Sequence, residues 1–408
     1  MIRSYFLAGL LLIETAAAQL VIKGELLHTM TGDLEPIKNG VVVCGADGKI
    51  SAVGKQGEVE LPEGAKVIEA SVVTPGIIDA RSSIGLSGLL NLPRHDQEQL
   101  DHTSPVQPEL RAFDAYNGRD PLVKWVRDLG ITTIHTGHAP GALVAGQTMV
   151  VKTDVASIVS PDDTLLPLAM VAVSLSKNQN NGQVSKAPGT RAKSMAVLRS
   201  ELVKAREHAR KAEDADAEKT PEPNLKLDIL AAVLRKETPL LIQANRHHDI
   251  TAAIRLQQEF GFDLVLEGAS EAYLVLDEIK ASGCPVLVHP TMARSFGDRR
   301  NMTFKMAAEL HKAGIPFAFQ SGFEAYVPKT RVVLFEAGAA AAHGLPPKQT
   351  LAACTIRPAE ILGLADYIGS LEVGKDADLA LFEGDPLETV TRCSGVVIGG
   401  KLRSSEPH

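Results

Sequence analysis

Aromatic residues make up only 4% of the 408 and tryptophan occurs once, so the apolar core must come from the aliphatic side chains behind the 45% hydrophobic share. With 22% charged residues, that balance excludes disordered and collagen-like chains. A surplus of positive charge is also missing. Lys and Arg number 42 against 49 Asp and Glu, a formal net charge of -7, so no global field holds a polyanion and nucleic acid is set aside as a partner. Cysteine is sparse: Cys44, Cys284, Cys354 and Cys393 lie far apart with no metal-type CxxC pair, and read as buried free thiols. No apolar run reaches the roughly 20 residues that span a bilayer, and no repeat of fixed period is present. A nucleophile-elbow GxSxG and a coupled Cys–His signature are absent as well.

What is present begins with a targeting pattern. Arg3, the apolar run Tyr5 to Ile13, and Ala16, Ala17 and Ala18 before Gln19 follow the order of a secretory signal peptide. Residues 1–18 are therefore expected to be removed, giving a soluble, exported protein, periplasmic or extracellular. From Leu20 to Val73, and again from Gly369 to the C-terminus, short β-type runs alternate with turn residues, Gly45–Gly48 marking a hairpin. The two ends read as halves of one small β-domain around a long insert.

Within the insert, strand-sized runs occur at 76–80, 131–137, 149–153, 168–175, 239–245, 263–268, 285–290 and 316–322. Helical segments such as DITAAIRLQQEFG, SEAYLVLDEIKASG and FKMAAELHKAG stand between the later ones, each ending at glycine. Eight runs with crossover helices suit a (β/α)8 barrel; an open doubly wound sheet has the same local pattern. The charged stretch Arg199–Glu222 reads as an exposed helix and loop. GALVAGQT at 141–148 has phosphate-loop spacing but carries Gln147 in place of lysine and leads into a strand, so it is a glycine-rich loop.

VVTPGIIDA at 72–80 together with GSLEVGKDADLALFEGDP at 369–386 resembles the amidohydrolase superfamily, in particular its imidazolonepropionase-like and cyclic amidohydrolase branches. The resemblance implies an α/β fold: a (β/α)8 TIM-type barrel over 76–365, with a composite β-sandwich domain from 19–75 and 366–408. It also places Cys44 and Cys393 in one domain, which leaves a bridge between them open. The chemistry it implies uses one or two divalent metals that activate water against a C–N bond. The family's first barrel strand ends in Asp-x-His-x-His, since alternate residues of a strand can reach one metal.

Here that motif reads Asp79-Ala80-Arg81-Ser82-Ser83, with a cation at one ligand position. No Lys or Glu stands in LAMVAVSL, where the resemblance places the fourth-strand ligand. Gln243 and Asn245 replace the fifth-strand histidine, Glu267-Gly268 the sixth, and Gln320-Ser321-Gly322 the eighth-strand aspartate. No metal cofactor is therefore expected. The alternative is zinc or another divalent ion on His135, His138 and His289, which requires the chain to turn at Gly137.

Polar groups at the carboxyl ends of barrel strands are the candidates for function. They are Arg81, Ser83, His135, His138, Lys152, Asn245, Arg246, His247, Glu267, His289, Arg294, Gln320, Ser321, Glu324 and Tyr326. Arg81, Ser83, Asn245, Arg246, Glu267, Gln320 and Ser321 are expected to line a pocket for an anionic or amide-bearing ligand. Three functions follow: an exported pseudoenzyme that binds a small molecule or protein partner; a working hydrolase of C–N bonds, through a rebuilt metal site or metal-free acid–base chemistry by Glu267 or His289; or a subunit of a homo-oligomer or of an assembly with a complete relative.

Overall fold

The computed structural model describes residues 20–89, 97–175, 188–213, 222–323 and 330–408. Residues 1–18, which the sequence reads as a signal peptide, lie outside these residues, as do Glu324, Tyr326 and the 214–221 part of the charged stretch. Among the described residues no helix is long and apolar enough to cross a membrane.

Strands from both ends of the chain form one seven-stranded sheet. These are β1 (Leu20–Leu27), β2 (Ile37–Cys44), β3 (Ile50–Lys55) and β4 (Lys66–Pro75), with β13 (Leu379–Phe382), β14 (Cys393–Ile398) and β15 (Lys401–Ser404), in the order β15-β14-β13-β4-β1-β2-β3. The Gly45–Gly48 turn joins β2 to β3 with Gly48 at φ +81, a conformation that glycine adopts without strain. The four cysteines are buried free thiols; burial pushes both Cys44 and Cys393 up to about 12.

Pro75 ends β4 against β13, and the chain enters the barrel through Gly76. A Cβ at Gly76 would stand 2.0 Å from Thr132 Oγ1, so only glycine fits. Its N–H donates to the Asp378 carbonyl at 2.8 Å, which ties the PG turn to the GKDAD turn.

The second sheet has eight strands: β5 (Ile77–Ser82), β6 (Ile131–Gly137), β7 (Val144–Lys152), β8 (Val171–Ser174), β9 (Leu240–Ala244), β10 (Leu264–Gly268), β11 (Val286–Val288) and β12 (Phe317–Phe319), paired in chain order. A parallel bridge between Ser82 and Gly322 joins its edges, giving the barrel. One strand departs from uniform parallel pairing. β7 runs antiparallel to both β6 and β8, because the six residues after Gly137 are too few for a crossover helix and make a hairpin instead. β7 also starts at Val144, five residues before the predicted MVVKT run, with an irregular register at Gly146 (φ +138).

The later crossovers follow the predicted helices. His247–Phe260, Leu276–Ser282 and Met306–Ala313 each stop at a left-handed glycine, Gly261, Gly283 and Gly314. Alternation along the strands sends Leu240, Ile242, Leu264, Leu266, Val286 and Phe317 outward into the helical layer. Leu241, Val265, Leu287 and Ala318 point into the barrel.

Candidate functional site

Two residues beyond each of those inward apolar groups stand Gln243 and Glu267, on β9 and β10, and His289 and Gln320, one residue past the ends of β11 and β12, all buried. With Asn245 they line a cavity of about 30 Å³ at the carboxyl end of the barrel. That holds about two water molecules, far less than the roughly 300 Å³ of a typical small-molecule pocket.

Arg81 dominates the electrostatics of this end. Its Nε stands 3.6 Å from Glu267 Oε2, with both side chains buried. Its guanidinium donates to the carbonyls of Ser82, His138 and Gly137, the last at 3.3 Å. Asp79 accepts from the backbone N–H of Ser321 at 2.9 Å and of Arg81 at 3.3 Å. Burial pushes the Asp79 carboxyl up to about 6, against the pull of Ser321 and Arg81. It also raises Glu267, while the Arg81 charge and the Gln243 amide pull the other way.

The three histidines are not brought together. Among the described residues no group of three or more His, Cys, Asp or Glu is placed to hold a metal ion. His135 has both ring nitrogens engaged, Nδ1 with the Ala80 carbonyl and Nε2 with Thr148 Oγ1, each at 2.6 Å, so it has no lone pair to offer. Burial lowers it to about 3, and His138 to about 4. His289 differs. Its Nδ1 lies 2.9 Å from the Pro290 carbonyl, which only accepts, so Nδ1 carries the hydrogen and Nε2 is left bare. That Nε2 is buried without a partner, and burial keeps the ring neutral, lowering it to about 4.

Gln320 is fixed in the same way. Its Nε2 donates to the Leu287 carbonyl at 2.9 Å, leaving Oε1 buried and unpartnered. Asn245 Oδ1 accepts from Ser270 Oγ at 2.8 Å. Gly268 makes that fit possible, since a Cβ there would stand 2.6 Å from Asn245 Oδ1. Ser83 is buried with its hydroxyl unpartnered, and Ser321 Oγ accepts from Thr330 Oγ1 at 2.8 Å.

Other expected residues turn elsewhere. Arg246 does not line the cavity: its Nε is 2.9 Å from Glu271 Oε1, because the helix His247–Phe260 begins directly after it. His247 faces the same carboxylate. Lys152 lies at the other end of the barrel, since the reversal of β7 points its C-terminus away from the mouth. It pairs with Asp376 at 2.6 Å and Asp378 at 3.0 Å in the GKDAD turn. Arg294 is exposed on the segment after β11. Sequence reasoning missed Glu271. Although burial opposes it, the backbone and ring N–H of His247, the Asn301 amide and the Arg246 charge hold this carboxylate down at about 2. It stands in a run that reads only as helix, and its signal was the paired Arg246-His247 upstream.

Comparison with known proteins agrees with this architecture. The amidohydrolase family model matches residues 298–403. Amidohydrolase tasK of Hapsidospora irregularis is 25% identical over 383 residues, covering 85% of this chain; the chain spans only 38% of that relative's length. The crystal structure of an amidohydrolase from Thermotoga maritima MSB8 superposes with a TM-score of 0.86 at 29% identity, over 95% of this chain and all of that one. An adenosine deaminase from Xanthomonas campestris with bound zinc shares the fold, at 14% identity and a TM-score of 0.57 over 95% of this chain and 93% of that one. Barrel, composite sheet and both motifs converge with these likenesses: the chain is similar to the amidohydrolase superfamily in its fold and in both motifs.

Proposed function

We propose that this chain is an exported pseudoenzyme of its superfamily: its barrel mouth binds a small molecule or a protein partner without metal-dependent hydrolysis. The observation that carries this reading is the buried Arg81 guanidinium, paired with Glu267 and held by three backbone carbonyls where the first barrel strand would present its histidines. Divalent metals do not fit these residues. A fixed cation repels them, His135 is fully engaged, and His289 is the one histidine of the three whose bare nitrogen lines the mouth. The reading takes the partner to be a small ligand, a second copy or a complete relative, with export resting on residues 1–18.

The test is elemental analysis of purified protein after incubation with zinc, manganese and iron, beside an Arg81→His, Ser83→His variant. Substoichiometric metal in the unmodified protein is expected; near-stoichiometric metal overturns the reading. One observation favours a second reading, metal-free hydrolysis of C–N bonds. His289 Nε2 shares a cavity with Glu267 and has the neutral form a general base needs. Turnover of cyclic amides or N-acyl amino acids by metal-free protein, lost in His289→Gln, would decide for it.

A further inference from the structure

Buried acceptors without donors are rare in folded proteins, and two in one cavity point to something that supplies the hydrogens. At the barrel mouth these are His289 Nε2 and Gln320 Oε1. Neither can turn its hydrogen-bonding sense around. The His289 tautomer is set by the Pro290 carbonyl and the Gln320 amide by the Leu287 carbonyl, so both present lone pairs. On the same cavity Asn245 has its Oδ1 taken by Ser270, which leaves its Nδ2 as a donor. Beside Gln243, Glu267 and Arg299, the lining therefore offers two unmet acceptors, His289 Nε2 and Gln320 Oε1, and one donor, Asn245 Nδ2, within about 30 Å³.

We propose that this cavity is a subsite for the head of a carboxamide or ureido ligand. Its –NH2 donates one hydrogen to His289 Nε2 and the other to Gln320 Oε1, and its carbonyl oxygen accepts from Asn245 Nδ2. A carboxylate, which has no N–H, leaves both acceptors unmet and meets Glu267 as a like charge. The volume admits the head group alone, so the rest of the ligand extends out of the barrel. The inference rests on the metal-free reading, because a metal on His289 would occupy the same lone pair.

The experiment uses the full mature chain labelled with 15N-histidine and followed by long-range 1H–15N correlation. Acetamide is the probe, and N,N-dimethylacetamide, which has no N–H, is its control. Free protein is expected to show a neutral His289 with a bare Nε2. Acetamide should move that resonance upfield and dimethylacetamide should not; Gln320→Leu and Asn245→Leu should each weaken the acetamide response about tenfold. An equal response to both amides, or a bound water that acetamide does not displace, overturns the proposal. The wild-type comparison decides even where a variant fails to fold. Metal analysis of the same sample separates the two failures: metal on His289 overturns the underlying reading, whereas a silent, metal-free site overturns this inference alone.

Discussion

Replacing Arg81 by methionine removes the cation paired with Glu267 and takes donors from three backbone carbonyls, those of Ser82, Gly137 and His138. Both members of the pair are buried, so the carboxylate left behind cannot recover its partner's charge from water. Breaking a buried pair from one side costs about 3–5 kcal/mol, and Arg81→Met is expected in that range. Glu267→Gln should cost less, about 1–3 kcal/mol. It leaves Arg81 with the Asp79 charge nearby and no orphaned anion. The double variant replaces the pair by uncharged groups and should be more stable than the sum of the single losses, by about 0.5–3 kcal/mol. Urea unfolding of the four proteins, followed by far-UV circular dichroism, measures each term. An Arg81→Met loss under about 1 kcal/mol, or strict additivity in the double variant, would refute the claim that this ion pair organises the barrel mouth.

Further tests follow from the same geometry. His138 and His289 at about 4 and His135 at about 3 are depressed below their ordinary 6.5, so their stabilising contribution is complete above pH 6.5 and is lost as pH falls toward 4. At up to about 3 kcal/mol each, His289→Gln should flatten the fall of the urea midpoint between pH 7 and 4. Asp79 acts in the opposite sense. Raised to about 6, it favours the folded state below about pH 4 and loses that effect as pH rises through 6, so Asp79→Asn should steepen the acid loss in the same measurement. Gly268→Ala forces an L-residue to φ +83 and a Cβ onto Asn245, and should cost at least about 1–2 kcal/mol on thermal unfolding, with loss of the acetamide response. Lys152→Met unpairs the buried Asp378 and should destabilise by about 3–5 kcal/mol, while leaving that response intact because it acts at the far end of the barrel.

Much of the fold was legible because it rests on periodicities that a single sequence displays. The eight barrel runs are all strands, and the helix stops at Gly261, Gly283 and Gly314 sit in the left-handed conformation that makes glycine a stop. Part of the lining of the candidate cavity was legible for the same reason. Strand alternation carries Leu241, Val265, Leu287 and Ala318 directly to Gln243, Glu267, His289 and Gln320. What was hidden depends on direction and on partners. The hairpin at Gly137 reverses β7, and one reversal moves Lys152 from the mouth to the base, a change that a residue pattern alone does not encode. Arg246 was legible as a strand-end cation, but its partner Glu271 lies 25 residues away in a run without apolar alternation.

The two motifs that mark the superfamily here serve joints rather than chemistry. Gly76 is required where Thr132 crowds the barrel entrance, and its N–H is held by the Asp378 carbonyl. Asp376 and Asp378 clamp Lys152, and Asp378 also accepts from Gly399 N at 2.8 Å. These contacts fasten the base of the barrel to the composite sheet, and none reaches the cavity at the mouth. A sequence can therefore carry both motifs intact while the opposite end of the barrel changes its chemistry. At that end a buried guanidinium, that of Arg81, stands beside the inward-facing acids Glu267 and Asp79. With the Arg81 guanidinium already engaged by carbonyls and paired with Glu267, the proposed recognition rests on the uncharged acceptors of His289 and Gln320.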